Sequence, residues 1–285
     1  MPTLTALTLY PIKSCAGIAL QQATLTAAGL MHAQLHDREW MVVDAQREFL
    51  TQRSHPALAL IVPDLNLGAG LLEVHAPALA PLSLPLARPA LGDAPQLQVR
   101  VWDDLVDADD CGDAAAHWFS QALGLACRLV RFPAQASRIT NTRWTAHADV
   151  PTRFSDGYPF LLISQASLDD LNQKLAAHGR DPLPMNRFRP NLVIDGVAAF
   201  EEDYIDSLGL GGALLKPVKP CARCPIPSVD QATGLIGPDP LDILRSYRAN
   251  PRLDGGIAFG MNVILQQGDG QMVQLGQEVE IALAF

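Results

Sequence analysis

Short apolar runs alternate with turn-forming residues along the first hundred residues of the chain. The runs cover residues 4–10, 18–25, 40–43, 58–62 and 97–101. Runs of this length between turn signals are typical of antiparallel β-strands. Prolines at positions 76, 81, 85, 89 and 95 lack a backbone N–H, so we expect short or edge strands between them. The pattern predicts an antiparallel β-domain.

Three segments have the apolar spacing and end signals of helices. The first opens at residues 110–113, places residues 115, 118, 119 and 123 on one face, and stops at Gly124. The second runs from Ser164 or Ser167 to about Ala177. The third begins at Asp239-Pro240, where Asp239 can cap and proline fits the first helical position, and ends before Pro251. We expect these helices to lie outside a β-rich core.

The second half of the chain again carries strand patterns, at residues 189–194, 208–218, 258–266 and 272–281. The polar stretch 135–152 predicts a surface loop close to a site. The fold class expected is therefore mainly β with peripheral helices, or α+β. We place the domain boundary at the first helix, which gives domains at residues 1–120 and 121–285.

Composition narrows the class of protein. The 285 residues are 48% hydrophobic and carry a net charge of −9. An acidic chain without a Lys/Arg run argues against a nucleic-acid partner. The N-terminus lacks a signal-peptide pattern, and no apolar stretch reaches the ~20 residues of a spanning helix. Five cysteines without an export signal indicate reduced thiols, so we expect a cytoplasmic protein with no membrane span.

The segment Pro220-Cys221-Ala222-Arg223-Cys224-Pro225 contains the one Cys-x-x-Cys motif. A zinc site needs about four ligands, and no second cysteine or histidine pair supplies them. A thioredoxin-type dithiol normally lies at the start of a helix, whereas two prolines, Pro225 and Pro227, follow Cys224 here. The third interpretation is a single thiolate on a soft metal, with Arg223, Lys216 and Lys219 holding an anionic cofactor. The motif alone leaves these alternatives open.

Several further segments, in order along the chain, resemble the MOSC family with its N-terminal β-barrel domain. They are residues 9–17, 37–40, 156–160, 188–194, 221–224, 240–241, 246–248 and 259–262. The resemblance spans nearly the whole chain. The chain is similar to the bacterial YcbX type and to the mitochondrial amidoxime-reducing component, which reduce N-hydroxylated compounds with a molybdenum cofactor. It implies a β-barrel-like N-terminal domain followed by a MOSC β-barrel domain.

The resemblance implies a set of site residues. The second cysteine of the motif, Cys224, would be the metal ligand and reactive centre, while Cys221 has no assigned role. The residues implied to bind the molybdenum cofactor are Lys13, Ser14, Arg38, Asp156, Arg189, Asn191, Arg223 and Asn262. Lysines and arginines suit a phosphate, and amide and hydroxyl groups suit a pterin edge.

Two departures from the family pattern affect the contacts with the cofactor. Ala222 stands where several relatives have serine, and Asn262 stands where the mitochondrial type has tyrosine. The YcbX type often continues into a ferredoxin domain, whereas this sequence ends at Phe285. We therefore expect separate electron-transfer proteins, such as a ferredoxin or flavoprotein, as partners.

The first functional hypothesis is a two-electron reductase of a small N-oxygenated substrate at Cys-ligated molybdenum. No general acid stands out, and Asp156, His147 and Asp149 are the candidates. The second hypothesis is a non-enzymatic carrier of the cofactor, or of sulfur on Cys224, since MOSC modules also occur in cofactor sulfurases. No pyridoxal-phosphate lysine can be identified, so a partner would load the sulfur. A third is a cofactor-free binding module.

Overall fold

The computed structural model describes residues 1–88 and 95–284. The strands of the first half are β1 (Thr3–Leu9), β2 (Ile18–Leu20), β3 (Gln22–Thr26), β4 (Gly29–His32), β5 (Leu35–His36), β6 (Trp40–Asp44), β7 (Val62–Asn66), β8 (Leu71–His75), β9 (Leu82–Pro85), β10 (Gln96–Val101) and β11 (Asp104–Asp110). Helix α1 (Asp113–Leu123) follows.

The second half begins with three strands, β12 (Cys127–Arg131), β13 (Arg138–Ile139) and β14 (Pro151–Thr152). Strand β15 (Phe160–Ser164) leads into helix α2 (Gln165–Ala177). The remaining elements are β16 (Leu192–Asp195), β17 (Ile205–Leu210), β18 (Ala213–Ala222), α3 (Leu241–Arg245), β19 (Ala258–Gln267), β20 (Met272–Gln274) and β21 (Glu280–Leu283). Strands hold 40% of the residues and helices 18%, which confirms the predicted fold class.

Strands from both halves of the chain form the largest sheet. Its order is β2-β1-β16-β15-β19-β18-β17-β21. Strand β1 pairs antiparallel with β16, and β15 pairs parallel with β16. The chain therefore closes its N-terminal strand onto the C-terminal half. The domain boundary at residue 120 stays a prediction.

Smaller sheets surround this one. Strands β10, β11, β12 and β6 form one, β20, β3, β4 and β5 another, β7, β8 and β9 a third, and β13 with β14 a two-stranded ladder. Strand β9 is short and lies at the edge of its sheet, as its prolines predict. Pro89 of the same series lies outside the described residues.

Two of the three predicted helices match the structure. Helix α1 ends at Gly124, which is left-handed (φ 70°), and Ser164 caps α2 by accepting a hydrogen bond from the Ser167 N–H. The prediction for the third was wrong in length. Asp239 accepts from the Leu241 N–H as expected, but α3 ends at Arg245, and its five residues stay short of the ~12 that are stable without packing.

Three predicted strands and one predicted loop need correction. Residues 56–60 form a 3-10 helix, and strand structure begins only at Val62. The run 208–218 is two strands, because Gly211 and Gly212 have positive φ and turn β17 back onto β18. The run 272–281 likewise divides into β20 and β21. The segment 135–152 contains β13, β14 and a 3-10 turn, and several of its side chains are buried.

Apolar side chains from the alternating strands build one large core and smaller clusters. The main cluster joins β1, β15, β16 and β19 through residues such as Leu7, Leu162, Leu192 and Met261. Helices α2 and α3 cover a second cluster around Phe188 and Phe259. Within the described residues, no helix is both long enough and apolar enough to cross a bilayer.

Candidate functional site

One pocket collects the chemistry-bearing residues of both halves of the chain. Its volume of about 400 Å³ suits a small ligand or cofactor. The nine residues that the family resemblance implied for the site all line it: Lys13, Ser14, Arg38, Asp156, Arg189, Asn191, Arg223, Cys224 and Asn262. The structure thus brings together positions up to 249 residues apart along the chain, although their roles toward a ligand stay predictions.

The first wall is the turn that follows β1. The Lys13 N–H donates to the Trp40 carbonyl (2.8 Å), which fixes the turn against β6. The Ser14 carbonyl accepts from Gln52 Nε2 (2.7 Å), whereas its hydroxyl and N–H make no hydrogen bond within the described part of the chain. Ser14 is left-handed (φ 67°). Its free donors can therefore serve a ligand in the pocket.

Asp37, Arg38 and Asn191 form a buried polar network at the second wall. Arg38 Nη1 lies 2.5 Å from Asp37 Oδ2 and 3.1 Å from Asn191 Oδ1. Asn191 Nδ2 donates to Asp37 Oδ1 (2.9 Å) and to the Thr8 carbonyl (3.1 Å), and Asn191 Oδ1 also accepts from the Leu161 N–H (3.2 Å). Both amide hydrogens and both oxygen lone pairs of Asn191 are thus used within the protein. Asn191 orients Arg38 and has no side-chain hydrogen bond left for a ligand.

Two arginines stack on the buried Tyr10. The guanidinium carbons of Arg38 and Arg189 each lie 4.4 Å from its ring centroid. Arg189 is 9% exposed, and its guanidinium forms no ion pair or hydrogen bond with the described residues. Burial lowers its pKa from the usual arginine value. A buried cation with no protein partner is costly, so its geometry favours an anionic ligand.

Irregular pairing at the end of β18 presents the cysteine segment. Proline at 217 and 220 removes two ladder donors, and the register with β19 shifts between Pro217 and Lys219 and again between Pro220 and Ala222. Such bulges re-aim side chains at the end of a strand. The Arg223 N–H then donates to the Ile257 carbonyl (2.8 Å), which fixes the segment beside the pocket.

The two cysteines of the motif differ in their contacts. Both line the pocket, and Arg223 Nη1 donates to Cys221 Sγ at 3.3 Å. Arg223 Nη2 donates to the Phe188 carbonyl (3.1 Å), while its buried Nε has no partner among the described residues. Cys221 therefore orients Arg223. Cys224 lines the pocket without a hydrogen-bonded neighbour in the described chain, which leaves its sulfur available to a metal.

Lys13 and Asp156 form an ion pair at the pocket floor, with 2.5 Å between Nζ and Oδ1. Lys13 is buried and also donates to the Phe154 carbonyl (2.8 Å). Burial lowers the Lys13 pKa to about 8, although Asp156 opposes the shift. Desolvation would raise the pKa of Asp156, but its side chain is 65% exposed, so the Lys13 charge prevails and holds the pKa well below its usual range. Asp156 is therefore ionised.

Four non-glycine residues that line the pocket have left-handed backbones. They are Ser14 (φ 67°), Arg38 (φ 48°), Trp102 (φ 57°) and Arg189 (φ 57°). Each costs about 1 kcal/mol relative to ordinary backbone conformations. Local strain of this kind concentrates where side chains are held for a ligand, which supports a binding role for the pocket.

The sequence did not reveal two pocket residues, Arg53 and Trp102. Trp102 lies at the tip of the β10–β11 hairpin, 4.5 Å from the Arg53 guanidinium, and its Nε1 donates to Asp156 Oδ1 (3.2 Å). Only the exposed position of a tryptophan in a turn could have drawn attention to it. Lys216, in contrast, pairs with Asp206 (3.0 Å) and is not part of the pocket lining. His147 and Asp149 do not line the pocket either.

Charge and donor type decide what the pocket can hold. Its lining has six cations, Lys13, Arg38, Arg53, Arg189, Lys219 and Arg223, and one carboxylate, Asp156, in a protein of net charge −9. In the described residues, no three His, Cys, Asp or Glu side chains meet as a metal site. A metal at Cys224 would take its other ligands from a cofactor. A soft thiol beside free arginine donors fits a metal carried on an anionic pterin phosphate.

The remaining cysteines lie away from the pocket lining. Burial raises the pKa values of Cys15 and Cys111 to about 12, and burial also raises that of Cys127. All five cysteines are free thiols. The thiols at 15, 111 and 127 are therefore neutral packing groups.

Comparison with known proteins finds two domain matches and several relatives. The MOSC N-terminal beta barrel domain matches residues 1–126, and the MOSC domain matches residues 149–280. Mitochondrial amidoxime-reducing component 1 of Mus musculus is 36% identical over 86% of this chain and 71% of its own. A molybdenum cofactor sulfurase of Oryza sativa is 32% identical over 97% of this chain and 35% of its own.

A solved structure, the YUAD protein of Bacillus subtilis, covers the whole chain at 11% identity with a TM-score of 0.42. The two domain matches together span most of the sequence in the order in which the family arranges them. The chain belongs to the MOSC family, with an N-terminal MOSC β-barrel domain followed by a MOSC domain.

Proposed function

We propose that the protein is a molybdenum-cofactor-dependent reductase of N-hydroxylated compounds. The observation that carries the proposal is the pocket, in which the free thiol of Cys224 meets six cations and one carboxylate in an otherwise acidic protein. The similarity to proteins named amidoxime-reducing components supports the reaction class.

The residues divide the work of holding the cofactor. Cys224 would ligate the metal. Arg189, Arg223 Nε and Ser14 would offer the phosphate donors that have no partner among the described residues. Asn262 donates to the Lys219 carbonyl (3.3 Å), which leaves its amide oxygen for a pterin edge. Asn191 would not bond the cofactor through its side chain but holds Arg38 in place.

When bound, the cofactor supplies a molybdenum centre that carries two electrons between donor and substrate. In the net reaction the N–O bond breaks, the nitrogen takes two electrons and a proton, and the oxygen leaves with a second proton as water. Asp156 stays ionised beside Lys13 and does not act as the acid. Lys13 Nζ holds its proton at neutral pH and loses it above about pH 8. Separate electron-transfer proteins deliver the electrons, and the protein works in the cytoplasm.

A second candidate is a carrier of the cofactor or of sulfur on Cys224. The similarity to a molybdenum cofactor sulfurase over 97% of this chain favours it. A carrier binds through the same pocket but need not turn over a substrate. Turnover therefore separates the two functions.

The test uses protein expressed in a host that makes molybdenum cofactor. Bound molybdenum is measured first, and benzamidoxime reduction is then followed with reduced methyl viologen as the donor. The reductase proposal expects metal and turnover in the wild type, no turnover in Cys224→Ser, and partial turnover in Cys221→Ser. Bound metal without turnover on a range of N-hydroxylated compounds would indicate the cofactor carrier, and the absence of molybdenum would reject both the reductase and the cofactor carrier.

A further inference from the structure

Three cations surround one tryptophan beside the pocket. The Arg143 and Arg252 guanidinium carbons lie 5.8 and 5.1 Å from the Trp144 ring centroid, and Lys219 Nζ lies 5.6 Å from it. We call Arg143, Trp144, Lys219 and Arg252 the Trp144 patch. Arg143 and Arg252 are exposed and do not line the pocket. The patch is thus a surface feature next to the site.

The fold holds the patch on a fixed base. Trp144 packs against the buried cluster of Val150, Tyr158, Val218 and Ile264. Its 3-10 turn, Thr142–Trp144, is capped by Asn141, whose carbonyl accepts from the Tyr158 hydroxyl (3.2 Å). Tyr158 and Lys219 also line the pocket. The patch and the pocket therefore share a wall.

The cations of the patch have no acidic partner among the described residues. None of the three forms an ion pair with the residues that the structure describes, whereas most other lysines and arginines of the chain do. Asp149 and Asp254 belong to the same two loops but form no ion pair with them. In a protein of net charge −9, an unpaired positive cluster is a local exception. Such a cluster attracts an acidic surface.

We propose that the Trp144 patch is the docking surface for an acidic electron-carrier protein. This inference rests on the proposed function, because a reductase must be resupplied with two electrons per substrate. A one-electron carrier delivers them in two successive encounters, and each carrier molecule is oxidised by one electron. Tryptophan and arginine are among the residues that contribute most binding energy at protein interfaces. Electron-transfer complexes have small interfaces, and charge complementarity speeds their association. The patch and the pocket share a wall, so a carrier bound to the patch lies next to the pocket.

The experiment measures binding and turnover separately, on the cofactor-loaded protein. The probe is a plant-type [2Fe–2S] ferredoxin of net negative charge, titrated calorimetrically at rising NaCl concentration. Turnover of benzamidoxime is then followed with reduced ferredoxin and, in parallel, with reduced methyl viologen. The test variant is Arg143→Glu with Arg252→Glu. The control, Arg47→Glu with Arg245→Glu, makes the same charge change at exposed arginines outside the patch and the pocket lining.

The proposal expects wild-type binding that weakens with salt, and a loss of about tenfold or more in ferredoxin affinity and ferredoxin-driven turnover in the test variant. Viologen-driven turnover should stay at the wild-type level, and the control should stay within about twofold on both donors. Arg143→Gln with Arg252→Gln should lie between the two. Circular dichroism checks that each variant is folded.

Three results would overturn the proposal. They are salt-insensitive binding of ferredoxin to the wild type, an equal loss in the control variant, and a loss of viologen-driven turnover with a raised substrate KM. The last would assign the cations to an anionic substrate instead. If the wild type lacks viologen-driven turnover, the proposed reaction fails, and the ferredoxin titration still decides whether the patch binds an acidic carrier.

Discussion

At the scale of single residues, two buried arginines of this protein stack on aromatic rings but differ in their partners. Arg131 lies 4.5 Å from the Trp40 ring and pairs with the fully buried Glu39 (2.8 Å). Arg189 lies 4.4 Å from the Tyr10 ring and has no such partner in the described chain. One arginine therefore serves the fold, whereas the other is held for a ligand.

Substitution by methionine should separate these two roles. Arg131→Met removes one of the two ion-pair partners of Glu39 and leaves Arg88 as the other. It should lower the free energy of unfolding by about 2 kcal/mol. Arg189→Met removes an unpaired buried charge, so the free energy of unfolding should stay the same or rise by about 1 kcal/mol. The same variant should lose most of its bound molybdenum. Urea denaturation and metal analysis of both variants check this, and a strong destabilisation by Arg189→Met would contradict the assignment.

The charge of Lys13 should make anion binding depend on pH. Burial lowers its pKa to about 8, so the side chain is an ammonium below that pH and a neutral amine above it. The charge of sulfate does not change over this range. Its affinity for the cofactor-free pocket should therefore fall as the pH rises through about 8 and Lys13 loses its charge. In Lys13→Met the affinity should be lower and flat between about pH 7 and about pH 9.5. Calorimetric titration measures both, and a flat wild-type profile would show that Lys13 does not set the pocket charge.

At the scale of elements, the close approach of the paired strands β15 and β19 depends on one glycine. Gly260 has φ 79°, and a Cβ there would lie 2.6 Å from Ile163 Cγ1 and 2.7 Å from the Leu162 carbonyl oxygen. Two residues later Asn262 reaches the pocket. Gly260 therefore sets the approach of these strands at the site.

An alanine at Gly260 should be far more costly than one at a matched glycine. Gly260→Ala combines a close contact with a left-handed backbone and should cost about 3 kcal/mol of unfolding free energy. Gly270 has φ 83° but no atom within 4 Å of the added Cβ, so Gly270→Ala should cost only about 1 kcal/mol. Urea denaturation of the two variants compares them. Equal losses would mean that backbone strain alone, and not the close contact at Gly260, sets the cost of the substitution.

Local patterns predicted most elements, and their failures have physical causes. Helices α1 and α2 followed from apolar spacing and capping residues, which act within a few positions. The division of 208–218 was missed because apolar side chains continue on both sides of Gly211-Gly212. Residues 56–60 are as apolar as a strand but form a 3-10 helix that begins at Pro56. A short apolar run does not distinguish these outcomes.

At the scale of the whole molecule, the pocket exists only because the chain closes on itself. Strand β1 pairs with β16, and this pairing places the Lys13 turn beside Arg189 and the end of β18. The family segments pointed to residues that line this pocket, but no spacing rule places Trp102 against Asp156 or Arg53 against Trp102. Nor could the sequence show that all side-chain hydrogen bonds of Asn191 are made within the protein, because its partners come from distant parts of the chain.

We propose Cys224 as the protein ligand of molybdenum. X-ray absorption at the molybdenum edge counts the sulfur atoms around the metal and tests this directly in the cofactor-loaded wild type, Cys224→Ser and Cys221→Ser. We expect one sulfur fewer at molybdenum in Cys224→Ser and an unchanged sulfur shell in Cys221→Ser. An unchanged shell in Cys224→Ser, or a sulfur lost only in Cys221→Ser, would contradict this proposal.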